Sequence, residues 1–264
     1  MPENIISCRP GSYGDFGLHA YEHLYEIGIR NLEISNPGAT GVESTLDLLG
    51  DFHGMQVKSI QAIIPITEDD AGNLMREEVF EVAKALGATH IFVSLNPDKI
   101  KERDWVRRLR GVGDVALEFG LVIILETHPP LIKNGDVGRA TMEKVNHPAI
   151  RINYDTANMF HYNEGIDGIT ELEKILPYVE GVHLKESNKK YQEWYFPGFG
   201  EGEGCVDFKG VVDFLNNRQD PGPFFGPFTM EIEGIKGEPK LTLEETKARV
   251  ANSVEYLRSL GIFT

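Results

Sequence analysis

The chain has 264 residues, 41% of them hydrophobic, with a formal net charge of −15. That length suits one barrel domain or two small ones, and the composition is that of a globular protein with a sizeable core rather than a disordered chain. The acidic balance argues against nucleic acid as a partner, and no run approaches the roughly 18 continuous apolar residues of a membrane span, so a small-molecule partner is the expectation.

Strand and helix signals alternate along the chain. Apolar or β-branched runs occur at Ile5–Cys8, Asn31–Ile34, Val57–Ile63, His90–Leu95, Leu121–Glu126, Ile150–Tyr154, Gly181–Leu184 and Phe228–Ile232. Between them, helical periodicity marks Phe16–Ile27, Leu74–Leu86, Trp105–Phe119, Gly168–Leu176, Phe208–Asn216 and Leu243–Leu260. Gly87 and Gly120 each follow a helical run and precede a strand, where a left-handed cap needs glycine. Thr242 with Glu245 predicts a capping box for the last helix. Eight such units predict an α/β fold, a (β/α)8 TIM barrel forming a single domain over 1–264. A doubly wound sheet would place a phosphate loop after its first strand; Gly11, Gly14 and Gly17 do not fit that spacing. The long irregular stretch Ser187–Gly204 reads either as a functional lid or as a surface loop held by its aromatics.

Four polar residues fall at strand ends: Glu126, Asp155, His183 and Glu231. Three carboxylates and an imidazole form the ligand set of a hard or borderline divalent cation, with Mn2+, Mg2+, Co2+ and Zn2+ all suitable. In a parallel barrel all such ends meet on the one face that carries the chemistry. The four are 29, 28 and 48 positions apart, the first two gaps being about one βα unit each. Alone, each would pass for a charged residue bonded to loop amides; the recurrence at one level marks them as a set. Residues two apart in a strand share a face, which adds His128 beside Glu126, Lys185 beside His183 and Glu233 beside Glu231. Lys185 would alternatively pair with Glu186 or another carboxylate, His128 would bond within its loop, and Glu233 would sit in solvent. Glu33, ending the second strand, is a candidate for the opposite wall of the mouth.

Five segments carry a resemblance: LETHP at Leu125–Pro129, NYDTAN at Asn153–Asn158, VHLKE at Val182–Glu186, FPGFGEGEGCVDF at Phe196–Phe208 and TMEIE at Thr229–Glu233. In this order they resemble the xylose isomerase-like TIM-barrel superfamily of sugar and sugar-phosphate isomerases and epimerases. The resemblance implies a divalent metal held by Glu126, Asp155, His183 and Glu231, and a sugar or cyclitol substrate touched by His128, Asn158, Lys185 and Glu33. Two departures stand out. Glu186 replaces the aspartate that usually ends the third motif, and Asn158 replaces a frequent histidine. An amide can hydrogen-bond a hydroxyl but cannot exchange protons as imidazole does.

The implied chemistry is proton transfer through a metal-stabilised enediolate, with Glu126 and Glu231 as catalytic bases flanking the substrate. Return of the proton to the same carbon gives epimerisation, and return to the neighbouring carbon gives isomerisation. Loss of a β-hydroxyl instead gives a dehydratase or lyase on a keto-inositol or 3-keto-glycoside. An apurinic-site endonuclease of the same superfamily would need more histidines than Gln61–Ile64 and Asn158 supply, and a non-catalytic partner subunit would be free to lose a ligand. Cys8 and Cys205 read as free thiols, and Met1-Pro2-Glu3-Asn4 lacks a signal-peptide pattern. Both point to a cytoplasmic protein, and the aromatic loop leaves room for a homo-oligomer.

Overall fold

A computed structural model describes residues 3–264. Its strands are β1 Ile6–Cys8, β2 Asn31–Ser35, β3 Gln56–Gln61, β4 His90–Val93, β5 Val122–Glu126, β6 Ile150–Asp155, β7 Val179–Leu184, β8 Tyr195–Phe196, β9 Phe228–Met230 and β10 Gly234–Ile235. β1 to β7 and β9 pair in parallel, in chain order, and β9 closes on β1. This is a TIM barrel with one helical segment or more after each barrel strand. All eight expected strands are present. The eighth is shorter than its apolar run, so Glu231 lies just past its end.

The outer helices form where amphipathic stripes meet the barrel. Glu102–Glu118 buries Trp105, Leu109, Val112, Val115 and Ala116 while its charged face stays in water. Leu243–Ser259 starts at Thr242 with the expected capping box. Gly87 and Gly120 take φ of 75° and 68°, the left-handed conformation that ends a helix before the next strand.

Two helices lack a clear sequence signal. Val42–Gly50 is short, and Leu49 is its one buried residue. Gly135–Val145 carries Gly135 and Gly138, which lower helix propensity. Close packing requires both: a Cβ at Gly135 would lie 2.5 Å from the Glu171 carbonyl oxygen, and one at Gly138 would lie 2.9 Å from Ile132 Cγ2. Asn134 caps this helix by accepting from the Val137 amide at 3.0 Å.

The stretch after β7 is ordered by its own bonds. β8 pairs antiparallel with β10, tying the loop after β7 to the loop after β9. Phe196 and Phe199 are buried. Glu186 accepts from the amides of Ser187, Val206 and Gly200, each at 3.0 Å. Its carboxylate therefore fastens both ends and the middle of the loop. Lys185 does not pair with Glu186.

Candidate metal centre

β5, β6 and β7 run side by side, and β9 follows β7. Their C-terminal ends deliver Glu126, Asp155, His183 and Glu231 to one spot. One donor atom from each lies within 4.8 Å of all the others, and every member except the partly buried Glu126 is buried.

Each ligand is held by its remaining atoms. Asp155 Oδ1 accepts from the amides of Ala157 and Asn158, both at 2.8 Å, at the start of the short helix Asn158–His161. His183 Nε2 lies 3.0 Å from Glu33 Oε1, the proton on Nε2 being assigned from this network. The ring also packs on Phe92, with centroids 4.4 Å apart. Glu231 Oε1 is bound by the Arg9 guanidinium. Asn158 Nδ2 donates to Glu126 Oε1 at 3.1 Å.

Three buried atoms of these four side chains have no hydrogen-bond partner: Asp155 Oδ2, His183 Nδ1 and Glu231 Oε2. His183 Nδ1 and Glu231 Oε2 approach to 2.9 Å without hydrogen-bond alignment, because both face a common point. Unpaired buried polar atoms are costly. Three of them converging beside the Glu126 carboxylate form a group able to hold a divalent cation.

The electrostatics agree. Burial, reinforced by Glu231 and Glu126, pushes the Asp155 carboxyl up to about 7 against the pull of Lys185 and His183. Burial also opposes charge on His183, yet Glu33 and Glu231 outweigh it and push the imidazole up to about 10. Glu231 is held well below the carboxylate range: burial opposes this, but Lys185, His183 and Arg9 prevail. Negative charge in this dry cluster draws in any positive charge within reach. A divalent ion would take the place of the proton that these carboxylates otherwise force onto His183.

Of the residues expected to touch substrate, Asn158 and Lys185 lie against the ligand set. Lys185 is 3% exposed. Its Nζ lies 2.5 Å from Glu233, 3.6 Å from Glu231, 4.0 Å from Asp155 and 4.4 Å from the Phe196 ring centroid. Glu233 is exposed, as expected, and from the surface it pairs with the buried Lys185. His128 stands further out, with Nδ1 2.6 Å from the Pro129 carbonyl and its ring edge-on to Tyr162 at 4.8 Å.

Glu33 stands in the β2 wall of the mouth, with its carboxylate turned inward to His183 and Arg9. It is 1% exposed, accepts from Ser59 Oγ at 2.6 Å, and binds His183 and Arg9. It orients the imidazole, a carboxylate–histidine arrangement common behind metal ligands. Arg9 completes this network. It follows β1, binds Glu231 and Glu33, and donates to Gln61 Oε1 at 2.6 Å. The only sequence signal for Arg9 is its place directly after an apolar run, the position that marks the four ligands.

The profile described as xylose isomerase-like TIM barrel matches residues 66–260. The chain belongs to the xylose isomerase-like TIM barrel family. Solved structures share the fold over nearly the whole chain. A D-allulose 3-epimerase from Methylomonas sp., in complex with D-allulose, is 20% identical, with a TM-score of 0.70 and 98% of each chain covered. A xylose isomerase-like TIM barrel protein from Mycobacterium smegmatis, in complex with magnesium, is 19% identical, with a TM-score of 0.70, covering 98% of this chain and 99% of that one. The probable 3-DHS dehydratase of Bacillus anthracis is 17% identical, with a TM-score of 0.72, covering 97% and 98%. No curated protein matches the sequence. Among the described residues, no helix of this family member is long and apolar enough to cross a membrane.

Proposed function

We propose that this xylose isomerase-like protein is a divalent-metal-dependent isomerase or epimerase of an unphosphorylated keto-sugar or cyclitol. The observation that carries the reading is the convergence of unpartnered Asp155 Oδ2, His183 Nδ1 and Glu231 Oε2 beside the Glu126 carboxylate. When bound there, Mn2+, Mg2+, Co2+ or Zn2+ supplies Lewis-acid polarisation of a carbonyl and its neighbouring hydroxyl.

The chain's own residues do the rest. Glu126 is the ligand carboxylate with the least cationic company, its hydrogen bond coming from the neutral Asn158 amide. It is the base that removes the proton from the carbon beside the carbonyl. Glu231 stands on the other side as the second carboxylate for proton exchange. Its pairing with Arg9 and Lys185 holds it in place and ionised, so any proton it returns is one it takes up from solvent or substrate during turnover. Lys185 and Phe196 pack against each other beside the site, which keeps the Lys185 charge fixed next to the ligands. Arg9 and Lys185, the cations facing the ligands, are already paired with carboxylates. A phosphate would have to displace one of them, which favours a substrate without one.

A second reading, dehydration or lysis of a keto-inositol or 3-keto-glycoside, uses the same base. It gains support from Asn158, since the amide at that position cannot relay a proton to a second face. Incubation of candidate sugars in D2O tests both, read by NMR with metal-loaded and EDTA-treated protein. Metal-dependent deuterium beside the carbonyl supports proton transfer, and a new diastereomer or an ultraviolet-absorbing enone names the outcome. Absence of exchange across unphosphorylated keto-sugars and cyclitols, with metal bound, overturns the proposal.

A further inference from the structure

Trp194 is 44% exposed, although the loop that carries it is pinned on both sides. Its carbonyl accepts from the Lys236 amide at 3.0 Å. Its indole meets Phe196 and His161 edge-on, with centroids at 5.0 and 6.3 Å. A large aromatic held rigid yet left open to water is a ready platform for an amphipathic ring, because its orientation has no further entropy to lose on binding.

The indole walls a cleft of about 530 Å³ that also includes Glu233, Asp15, Glu238, Lys240 and Arg249. Ligand-sized clefts span roughly 300–1,000 Å³. The cleft lies next to the metal centre: Glu233 in its wall binds Lys185, which reaches Glu231 and Asp155. Its charged groups are paired with one another, Arg249 with Glu238 and Lys240 with Asp15. They offer hydrogen bonds to hydroxyls without a net demand for a charged ligand. Aromatic face, paired charges and a position beside the metal ligands together match the chemistry of a neutral sugar ring.

We propose that this cleft is a second carbohydrate subsite, so that the ring at the metal centre extends outward into a further sugar stacked on Trp194. The substrate is then a keto-glycoside of at least two rings and not a monosaccharide. This rests on the sugar-site reading above, and binding alone tests it, separately from turnover.

Trp105 and Trp194 are the chain's two tryptophans, and Trp105 is only 7% exposed. Tryptophan emission of Mg2+-loaded protein is titrated with cellobiose, maltose, sucrose, glucose and inorganic phosphate, and Trp105→Phe assigns the signal to Trp194. Calorimetry gives affinities for the parent, Trp194→Ala and Trp194→Phe, with circular dichroism to check folding. The expected result is a saturable change with at least one disaccharide, binding tenfold or more tighter than glucose. That affinity falls about tenfold in Trp194→Ala and returns for the most part in Trp194→Phe. Equal affinity for glucose and the disaccharides, no response to any disaccharide, an unaffected Trp194→Ala variant, or a response to phosphate alone each overturns the subsite. Failure of the D2O exchange assay with intact disaccharide binding would count against the reaction and leave the subsite standing.

Discussion

The two walls of the barrel mouth are built differently. On the β1–β2–β7–β9 side, Arg9, Glu33, His183, Lys185 and Glu231 form one charge-paired network, and all are buried or nearly so. On the β5–β6 side, Glu126 is only partly buried. It meets an amide, with the rings of His128 and Tyr162 packed together nearby. The first wall holds atoms still, because each charge is fixed by at least one opposite charge in a dry setting. The second leaves a carboxylate open to solvent and substrate, as a group that must gain and lose a proton requires.

Substitutions that fall on one wall or the other sharpen this contrast. The largest effect belongs to Glu126→Gln, which preserves shape and removes the base. Deuterium exchange should fall by about 10²–10⁴-fold, the usual worth of a positioned general base, with the thermal transition nearly unchanged. An equal loss of stability would erase the distinction between the walls.

Arg9→Met acts on the other wall. It removes one buried counter-charge from Glu231 and Glu33, which keep only Lys185 and His183, and should cost about 3–5 kcal/mol in urea denaturation of metal-free protein. Added Mg2+ or Mn2+ should recover part of that loss by supplying positive charge and binding only the folded form. A cost under about 1 kcal/mol would mean that the network is not an electrostatic unit.

Glu33→Gln keeps an acceptor for His183 but removes its charge. Metal affinity by calorimetry should fall about 10–100-fold, as it does when a partner behind a ligating histidine is changed. Unchanged affinity would show that Glu33 does no more than fill space. The smallest effect is expected for Asn158→Ala. One hydrogen bond to Glu126 is lost, and kcat should drop about tenfold or less. A loss as large as that of Glu126→Gln would make the amide part of the proton path.

Much of this organisation is legible along the chain. Strand positions, the closing glycines Gly87 and Gly120, the cap at Thr242 and the grouping of Glu126, Asp155, His183 and Glu231 depend on local pattern. A barrel of consecutive parallel strands turns sequence order into spatial order, so residues at strand ends meet without further information. The helix Gly135–Val145 was not legible, because its glycines answer to neighbours across a helix interface and not to helix propensity.

The pairings were also beyond local reading. Arg9 and Glu231 are 222 positions apart, and Glu33 and His183 are 150 apart. Lys185 chooses Glu233 over the adjacent Glu186 because the latter is occupied by three loop amides. Trp194 reads as one more aromatic in a loop until the β8–β10 pairing stands it beside the cleft. Which side chains arrive at the mouth follows from strand periodicity and chain order alone. Which of them neutralise one another and which stay free is set by the folded barrel, because charge pairing and burial depend on distances across it that no local pattern encodes.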